Sequence, residues 1–76
     1  MKAHEKIVRE QQRQLEKWGE QRHNTFYWLA ILMEEVGEMA KGMIERADEK
    51  DIEKELIHCA AVCATWLENY DTEEGK

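Results

Sequence analysis

The sequence contains no proline, only four glycines and two cysteines, and no long apolar run. Proline and glycine destabilise helix interiors, so their scarcity favours an all-α fold. A membrane-spanning helix needs roughly 20 consecutive apolar residues, and no segment approaches that length. The first ten residues, "MKAHEKIVRE", lack the apolar centre of a signal peptide. We therefore expect a soluble, cytoplasmic protein that does not interact with a membrane.

Basic residues are also few. The chain has 11 lysines and arginines against 17 aspartates and glutamates, a formal net charge of −6. Proteins that bind nucleic acid need a basic surface to match the phosphate backbone, so we expect no nucleic-acid partner. The same negative charge would repel a nucleotide unless a bound cation reversed the local charge.

The two cysteines do not suggest a disulfide. Cys59 and Cys63 are spaced i, i+4 on an apparent helix, where small thiols are typical core residues, and a cytosolic compartment would keep them reduced. A single domain of 76 residues buries little apolar surface. A bound metal or a partner chain is therefore the expected additional source of stability.

The sequence predicts one helical domain over residues 1–70, followed by a charged, disordered tail over residues 71–76. The predicted helices run from about Lys2 to Trp18, from about Phe26 to Arg46, and from about Ile52 to Asn69 or Tyr70. The second and third helices form a hairpin, and the first is an additional, poorly apolar helix on its outside.

Residues with capping preferences stand at the predicted helix ends. Gly19 is suited to the left-handed conformation that closes the first helix. Asn24 or Thr25 can cap the second helix, and Asp48 or Asp51 the third.

Apolar residues recur at helical spacing along the second helix and predict its main buried face, formed by Phe26, Leu29, Met33, Val36, Ala40, Met43 and Ile44. Two antiparallel helices are too few to enclose a core. A second copy of the chain is the simplest source of the missing pair, so we expect a four-helix-type bundle formed by a homodimer or a higher homo-oligomer.

Three carboxylates stand in the segment "LMEEVGEM" of the second helix. Glu34, Glu35 and Glu38 span an arc of about 100° when each residue advances about 100° around the helix. That arc lies opposite the predicted buried face, which is typical of a solvated surface. Aromatic and small residues beside it, including Trp28 and Gly42, are less typical of one.

A fourth carboxylate, Glu55, falls next to the apolar face of the third helix. A buried carboxylate is costly unless it is protonated, ion-paired or bound to a metal. His58 lies one turn further on. Glu35 and Glu38 are spaced i, i+3, and so are Glu55 and His58, so two such pairs on packed helices can surround one pocket. Oxygen-rich ligation with one imidazole suits Mg²⁺ or Mn²⁺.

The two segments that contain these residues resemble the sequences of a known protein family. "EEVGEMAKG" followed by "EKELIHCAAVCATWLE" is similar to the MazG-like all-α nucleoside triphosphate pyrophosphohydrolases, which carry E-E-x-x-E on one helix and E-x-x-D on the next. Glu34 to Glu38 match the first motif in full. Glu55 to His58 match the second, with His58 in place of the aspartate. "KWGEQRH", residues 17–23, also resembles a segment that precedes the first motif in some small members, and the resemblance covers roughly residues 14–69.

The resemblance implies a hydrolase that splits nucleoside triphosphates into a monophosphate and pyrophosphate with Mg²⁺, or alternatively Mn²⁺. It implies that the metal ligands are Glu35, Glu38, Glu55 and His58, and that Glu34 and Glu38 act in catalysis. An imidazole in place of a carboxylate favours softer ions than Mg²⁺ and leaves a changed metal preference or a loss of catalysis open. Candidate substrate-binding residues are Lys17, Gln21, His23, Trp28 and Lys41, with Arg22 as a further phosphate contact and Trp66 as an alternative stacking surface for the base.

Two other functions fit the same residues. E-x-x-H is the ligand pair of carboxylate-bridged di-metal bundles, and a dimer would supply two copies. The polar cluster of a non-catalytic interaction module would instead fix the pairing of its helices.

Overall fold

The longest helix lies between the other two. The structure, a computed structural model, describes residues 1–45 and 48–74, with side chains as far as Tyr70. Its helices are α1 (Ala3–Trp18), α2 (Thr25–Ile44) and α3 (Glu49–Glu74), and the described residues form no strand. Both α1 and α2 pack on α3, and their backbones do not contact each other. The all-α prediction is confirmed, and none of the described helices is long and apolar enough to cross a membrane.

The ends of α1 and α2 follow from local chemistry. Gly19 has φ 75° and ψ −175°, and its N–H donates to the carbonyl of Leu15 at 2.8 Å. This region of backbone space is essentially restricted to glycine. The Asn24 side chain caps α2 by accepting a hydrogen bond from the Tyr27 N–H at 2.9 Å. The cap at Asn24 is confirmed. Gly19 ends α1 as predicted, but its ψ is extended and not that of the left-handed helical conformation. Arg46, the predicted end of the second helix, lies outside the described residues.

The third helix is longer than predicted at both ends. The Asp48 carboxylate accepts the Asp51 N–H at 3.0 Å, so the helix begins at Glu49 rather than at Ile52. Acidic residues in this first turn also interact favourably with the helix dipole. The backbone stays helical to Glu74, past the predicted end at Asn69 or Tyr70. No glycine or proline interrupts it before that point, and the last two residues of the predicted tail, 75–76, lie outside the described residues.

The prediction for the buried face of α2 is wrong for the single chain. Phe26 is 82% exposed and Ile44 is 81% exposed, and of the seven predicted core residues only Val36 is even partly buried. The face of α2 that packs on α3 is the opposite one, which carries Trp28 and the carboxylate of Glu35. Apolar side chains occur on both faces of α2, so the spacing alone did not identify which face packs within the chain.

The core of the single chain is very small. Among the described residues, the buried apolar side chains are those of Trp28, Cys59, Ala61 and Val62. Leu56 and Leu67 on α3 are 57% and 66% exposed. The chain therefore leaves apolar surface uncovered on both helices of its hairpin.

Candidate metal centre

Side chains from α2 and α3 meet at one point in the middle of the hairpin. Glu35, Glu55 and His58 each place one ligand atom within 4.8 Å of the others. The Nδ1 atom of His58 is 3.5 Å from Oε2 of Glu35 and 3.5 Å from Oε2 of Glu55. All three side chains are half-buried. Three of the four predicted metal ligands thus lie together.

The helical repeat explains this meeting. Glu35 is seven residues, or two turns, after the buried Trp28, so both face α3. Glu55 precedes the buried Cys59 by four residues and the buried Val62 by seven, which turns it toward α2. Each carboxylate therefore lies in the interface between α2 and α3, because it shares a helix face with buried apolar residues.

The carboxylates are poorly satisfied by the protein. Oε2 of Glu35 and Oε2 of Glu55 are buried, and neither has a hydrogen-bond partner among the described residues. Burial raises the pKa of Glu35, and the charges of Glu38 and Glu55 raise it further, against the opposing effect of His58. A proton on Glu35 would allow it to donate to Glu55, but as carboxylates both groups only accept. Unpaired buried acceptors cost about 1–3 kcal/mol each, which a shared cation could offset.

A third carboxylate, from α1, lies on the other side of the imidazole. Glu10 is only 8% exposed, and its Oε2 is 3.5 Å from Nε2 of His58. Arg13 donates two hydrogen bonds to it, at 2.8 and 2.7 Å, and Gln14 donates a third at 3.0 Å. The hydrogen bonds from Arg13 are the main reason that the pKa of Glu10 is lowered. His58 therefore stands between acidic groups from all three helices.

Sequence reasoning missed Glu10, although a signal was present. Ile7, Glu10 and Gln14 are spaced by three and four residues, so they lie on one face of α1. That face includes the partly buried Ile7, which indicates contact with the rest of the fold.

The other acidic candidates lie outside the group. Glu34 and Glu38 are exposed, and neither belongs to the cluster of ligand atoms within 4.8 Å. Glu38 is near enough for its charge to raise the pKa of Glu35. The structure of the single chain therefore places Glu38 beside the cluster rather than in it.

The predicted phosphate contacts are not gathered at this point. Lys17 is exposed and its Nζ lies 4.8 Å from the centre of the Trp18 ring. Arg22 pairs with Glu20 at 3.0 Å. Lys41 is exposed on α2. None of these cations contacts the cluster of Glu35, Glu55 and His58.

The remaining substrate candidates lie at the other end of the hairpin. Trp28 is 2% exposed and donates its indole N–H to Asn69 at 3.0 Å, so its ring has no free face on which a base could stack. His23 stacks on Tyr27 with ring centres 4.4 Å apart. The Gln21 carbonyl accepts a hydrogen bond from Asn69 at 3.4 Å. A small cavity of about 160 Å³ opens here, lined by His23, Asn24, Thr25, Trp28, Trp66, Asn69 and Tyr70.

No family model matches the chain, and neither a curated protein nor a solved structure matches it.

Proposed function

We propose that the chain is a metal-dependent nucleoside triphosphate pyrophosphohydrolase, which converts a nucleoside triphosphate into a monophosphate and pyrophosphate. One observation carries the proposal. Two buried carboxylate oxygens without partners, from Glu35 and Glu55, face the same imidazole nitrogen of His58. With the imidazole proton on Nε2, these two oxygens and Nδ1 are three acceptors without a donor, a set that a divalent cation would satisfy.

The donor set suits a particular kind of cation. Glu35, Glu55 and His58 would hold it through two carboxylate oxygens and one ring nitrogen. Glu10 faces the other ring nitrogen, Nε2, and its negative charge favours the proton there, which leaves the lone pair of Nδ1 on the side of the cluster. One nitrogen among oxygen ligands favours Mn²⁺ over Mg²⁺. When bound, such a cation would neutralise the negative charge of the triphosphate oxygens.

The carboxylate beside the cluster has a separate role. Glu38 is exposed, so it can contact water and orient it toward a bound substrate. In the reaction, the water oxygen bonds to the α-phosphorus while the bond from that phosphorus to the oxygen bridging to the β-phosphorus breaks. Glu38 accepts the proton from the water, and pyrophosphate leaves with the bonding electron pair. Glu34, also exposed, would assist in holding the water.

The base would be held at the aromatic end of the hairpin. The cavity lined by His23, Trp66 and Tyr70 lies on the same helix pair as the cluster. Trp66 is eight residues after His58, about 12 Å along α3 at 1.5 Å per residue. Ring contacts of this kind tolerate different bases, because every base has a π-face.

We also propose that the active form is a homo-oligomer, most simply a homodimer. Phe26, Met33 and Met43 are 82%, 57% and 57% exposed on one side of α2. Leu56 and Leu67 are exposed on α3. Apolar surface of this extent on a small domain is typical of an interface, and a second copy packed there would complete a four-helix bundle.

The test is pyrophosphate release from a panel of nucleoside triphosphates, with Mg²⁺ and Mn²⁺ supplied separately. We expect weak but measurable turnover, stronger with Mn²⁺, that is lost in Glu35→Gln and in Glu38→Gln. The matched control is Glu45→Gln, which removes the same charge from the exposed residue directly after α2. If no nucleotide is cleaved with either ion and none raises the melting temperature, the proposal is wrong.

One observation favours a second candidate, a non-catalytic module. The cluster joins all three helices through Glu10, Glu35 and His58, which is also what a polar network that fixes helix pairing would do. This candidate predicts that neither Mg²⁺ nor Mn²⁺ changes the melting temperature. A carboxylate and histidine di-metal bundle would instead be purified with iron and would cleave no triphosphate.

A further inference from the structure

A basic cavity adjoins the candidate metal centre on the side of α1. It has a volume of about 390 Å³ and lies between α1 and the first half of α3. Five cationic side chains line it, Lys6, Arg9 and Arg13 from α1 and Lys50 and Lys54 from α3. The chain has 11 lysines and arginines in total, so five of them surround this one cavity in a protein whose net charge is −6.

The acidic side chains of this cavity do not neutralise it. Glu53 pairs with Lys6 at 3.3 Å, and Glu10 is engaged by Arg13. Arg9, Lys50 and Lys54 have no ion pair or hydrogen bond with any described residue. These three positive charges repel one another across one cavity, and an anion placed among them would relieve that repulsion.

The position of the cavity indicates the kind of anion. Its wall includes His58, which is also a member of the metal-ligand cluster, and Glu10, which faces that imidazole. Lys54 directly precedes Glu55 in the chain, and Lys50 is eight residues before His58, about 12 Å along the helix. An anion that extends along these cations would have one end beside His58, next to the metal-ligand cluster, and the other near the start of α3.

We propose that this cavity binds a polyphosphate, namely the β- and γ-phosphates of a nucleoside triphosphate, which leave as pyrophosphate. The orientation of the substrate rests on the proposed function, with the α-phosphate at the metal ligands and the base at the aromatic end. The binding of a polyphosphate anion does not require catalysis. Lys6, Arg9 and Arg13 are spaced by three and four residues on α1, and Lys50 and Lys54 by four on α3, so the cations follow the helices over more than one turn. That spread matches a chain of phosphates better than one phosphate.

The experiment is a calorimetric titration of the full chain with inorganic tripolyphosphate, in buffer from which divalent metals have been removed. The cavity variant is Lys50→Gln with Lys54→Gln. The control is Lys17→Gln with Lys41→Gln, which removes the same charge from two exposed lysines outside the cavity. Both were predicted substrate contacts, so this pair also tests the cavity against the alternative phosphate contacts. All four lysines are exposed, so neither variant is expected to unfold.

We expect tripolyphosphate to bind the unmodified protein, and the cavity variant to bind it at least about tenfold more weakly, because two charge-assisted contacts are lost. The control should change the affinity by less than about twofold, since only screened long-range attraction is reduced. An equal loss in both variants, or no binding to the unmodified protein, would overturn the proposal.

Two further measurements separate this proposal from the proposed function. Glu35→Gln should abolish turnover but leave metal-free tripolyphosphate binding intact, because Glu35 is not part of the cavity wall. If nucleotides are hydrolysed and the cavity variant keeps the KM of the unmodified protein, the cavity proposal is wrong and the enzyme proposal stands. If tripolyphosphate binds as expected but no nucleotide is hydrolysed, the cavity proposal stands and the enzyme proposal is wrong.

Discussion

At the scale of single residues, His58 is where the acidic groups of three helices meet. Glu10 lies at one ring nitrogen, and Glu35 and Glu55 lie at the other, each at 3.5 Å. The two sides differ in how well they are satisfied. Glu10 receives hydrogen bonds from Arg13 and Gln14, whereas Oε2 of Glu35 receives none from the described residues. The electrostatic consequences for the two carboxylates are therefore opposite.

In the metal-free protein, Glu10→Gln and Glu35→Gln should change the free energy of unfolding in opposite directions, and both changes should depend on pH. The pKa of Glu10 is lowered from 4.5, so its ionised form stabilises the fold above that pH, and this stabilisation is lost as pH falls through the lower folded value. Glu10→Gln should therefore reduce the free energy of unfolding at pH 7 by about 1–3 kcal/mol. The pKa of Glu35 is raised from 4.5, so its protonated form stabilises the fold below that pH, and this stabilisation is lost as pH rises through the higher folded value.

Glu35→Gln should accordingly stabilise the metal-free protein at pH 7 by about 1 kcal/mol, which corresponds to about 4–8 °C in melting temperature for a domain of this size. Both differences should shrink well below pH 4.5, and thermal unfolding at several pH values measures them. A lower melting temperature for Glu35→Gln at pH 7 would contradict the assigned electrostatics. We expect Mn²⁺ to raise the melting temperature of the unmodified protein, and the same variant should lose that increase.

At the scale of helices, the ends are set locally and the packing faces are not. Asn24 and Asp48 cap α2 and α3 through their own side chains, and Gly19 ends α1 with a positive φ. These features depend on a few neighbouring residues, so the sequence predicts them well. The buried face of α2 depends on which partner helix covers it, and the prediction for that face was wrong for the single chain.

Two glycine substitutions should have opposite effects on stability. Gly19→Ala forces a side chain into a backbone conformation that only glycine adopts readily, and should cost about 1–3 kcal/mol. Gly37→Ala lies within α2, where an added Cβ meets no atom within 4 Å, and should stabilise by up to about 1 kcal/mol. Urea unfolding of both variants provides the measurement. A neutral Gly19→Ala would mean that residue 19 does not hold this positive-φ conformation.

At the scale of the whole molecule, the single chain is incomplete as a hydrophobic unit. Its described buried apolar side chains number four, while large apolar residues such as Phe26 and Ile44 are more than 80% exposed. Burial of so small a core gives little free energy to offset the loss of conformational entropy on folding. A second copy of the chain is the partner that we propose to cover this surface, because a two-fold bundle buries the same face of each copy.

Sedimentation equilibrium should therefore give twice the chain mass of 9.1 kDa. Met33→Glu places a charge in the exposed apolar face of α2 and should weaken association by at least about tenfold, since an unpaired charge would be buried. Val8→Glu makes the same kind of change at a similarly exposed position on α1, 59% against 57%, and should leave association unchanged. A monomeric unmodified protein, or equal effects of the two substitutions, would contradict the dimer.

The sequence by itself determined the helical class, the caps and the approximate extent of the helices, because helix formation depends on interactions within a few residues. It also placed Glu35, Glu55 and His58 as candidates for one site, because the i, i+3 and i, i+7 repeats carry them to the same side as buried neighbours. The tertiary structure decided the rest. It brought Glu10 of α1 to His58, left Glu38 at the side of the cluster, and gathered Lys50 and Lys54 with the cations of α1. Glu10 and His58 are more than 40 positions apart in the chain, and only the packing of one helix on another brings such residues together.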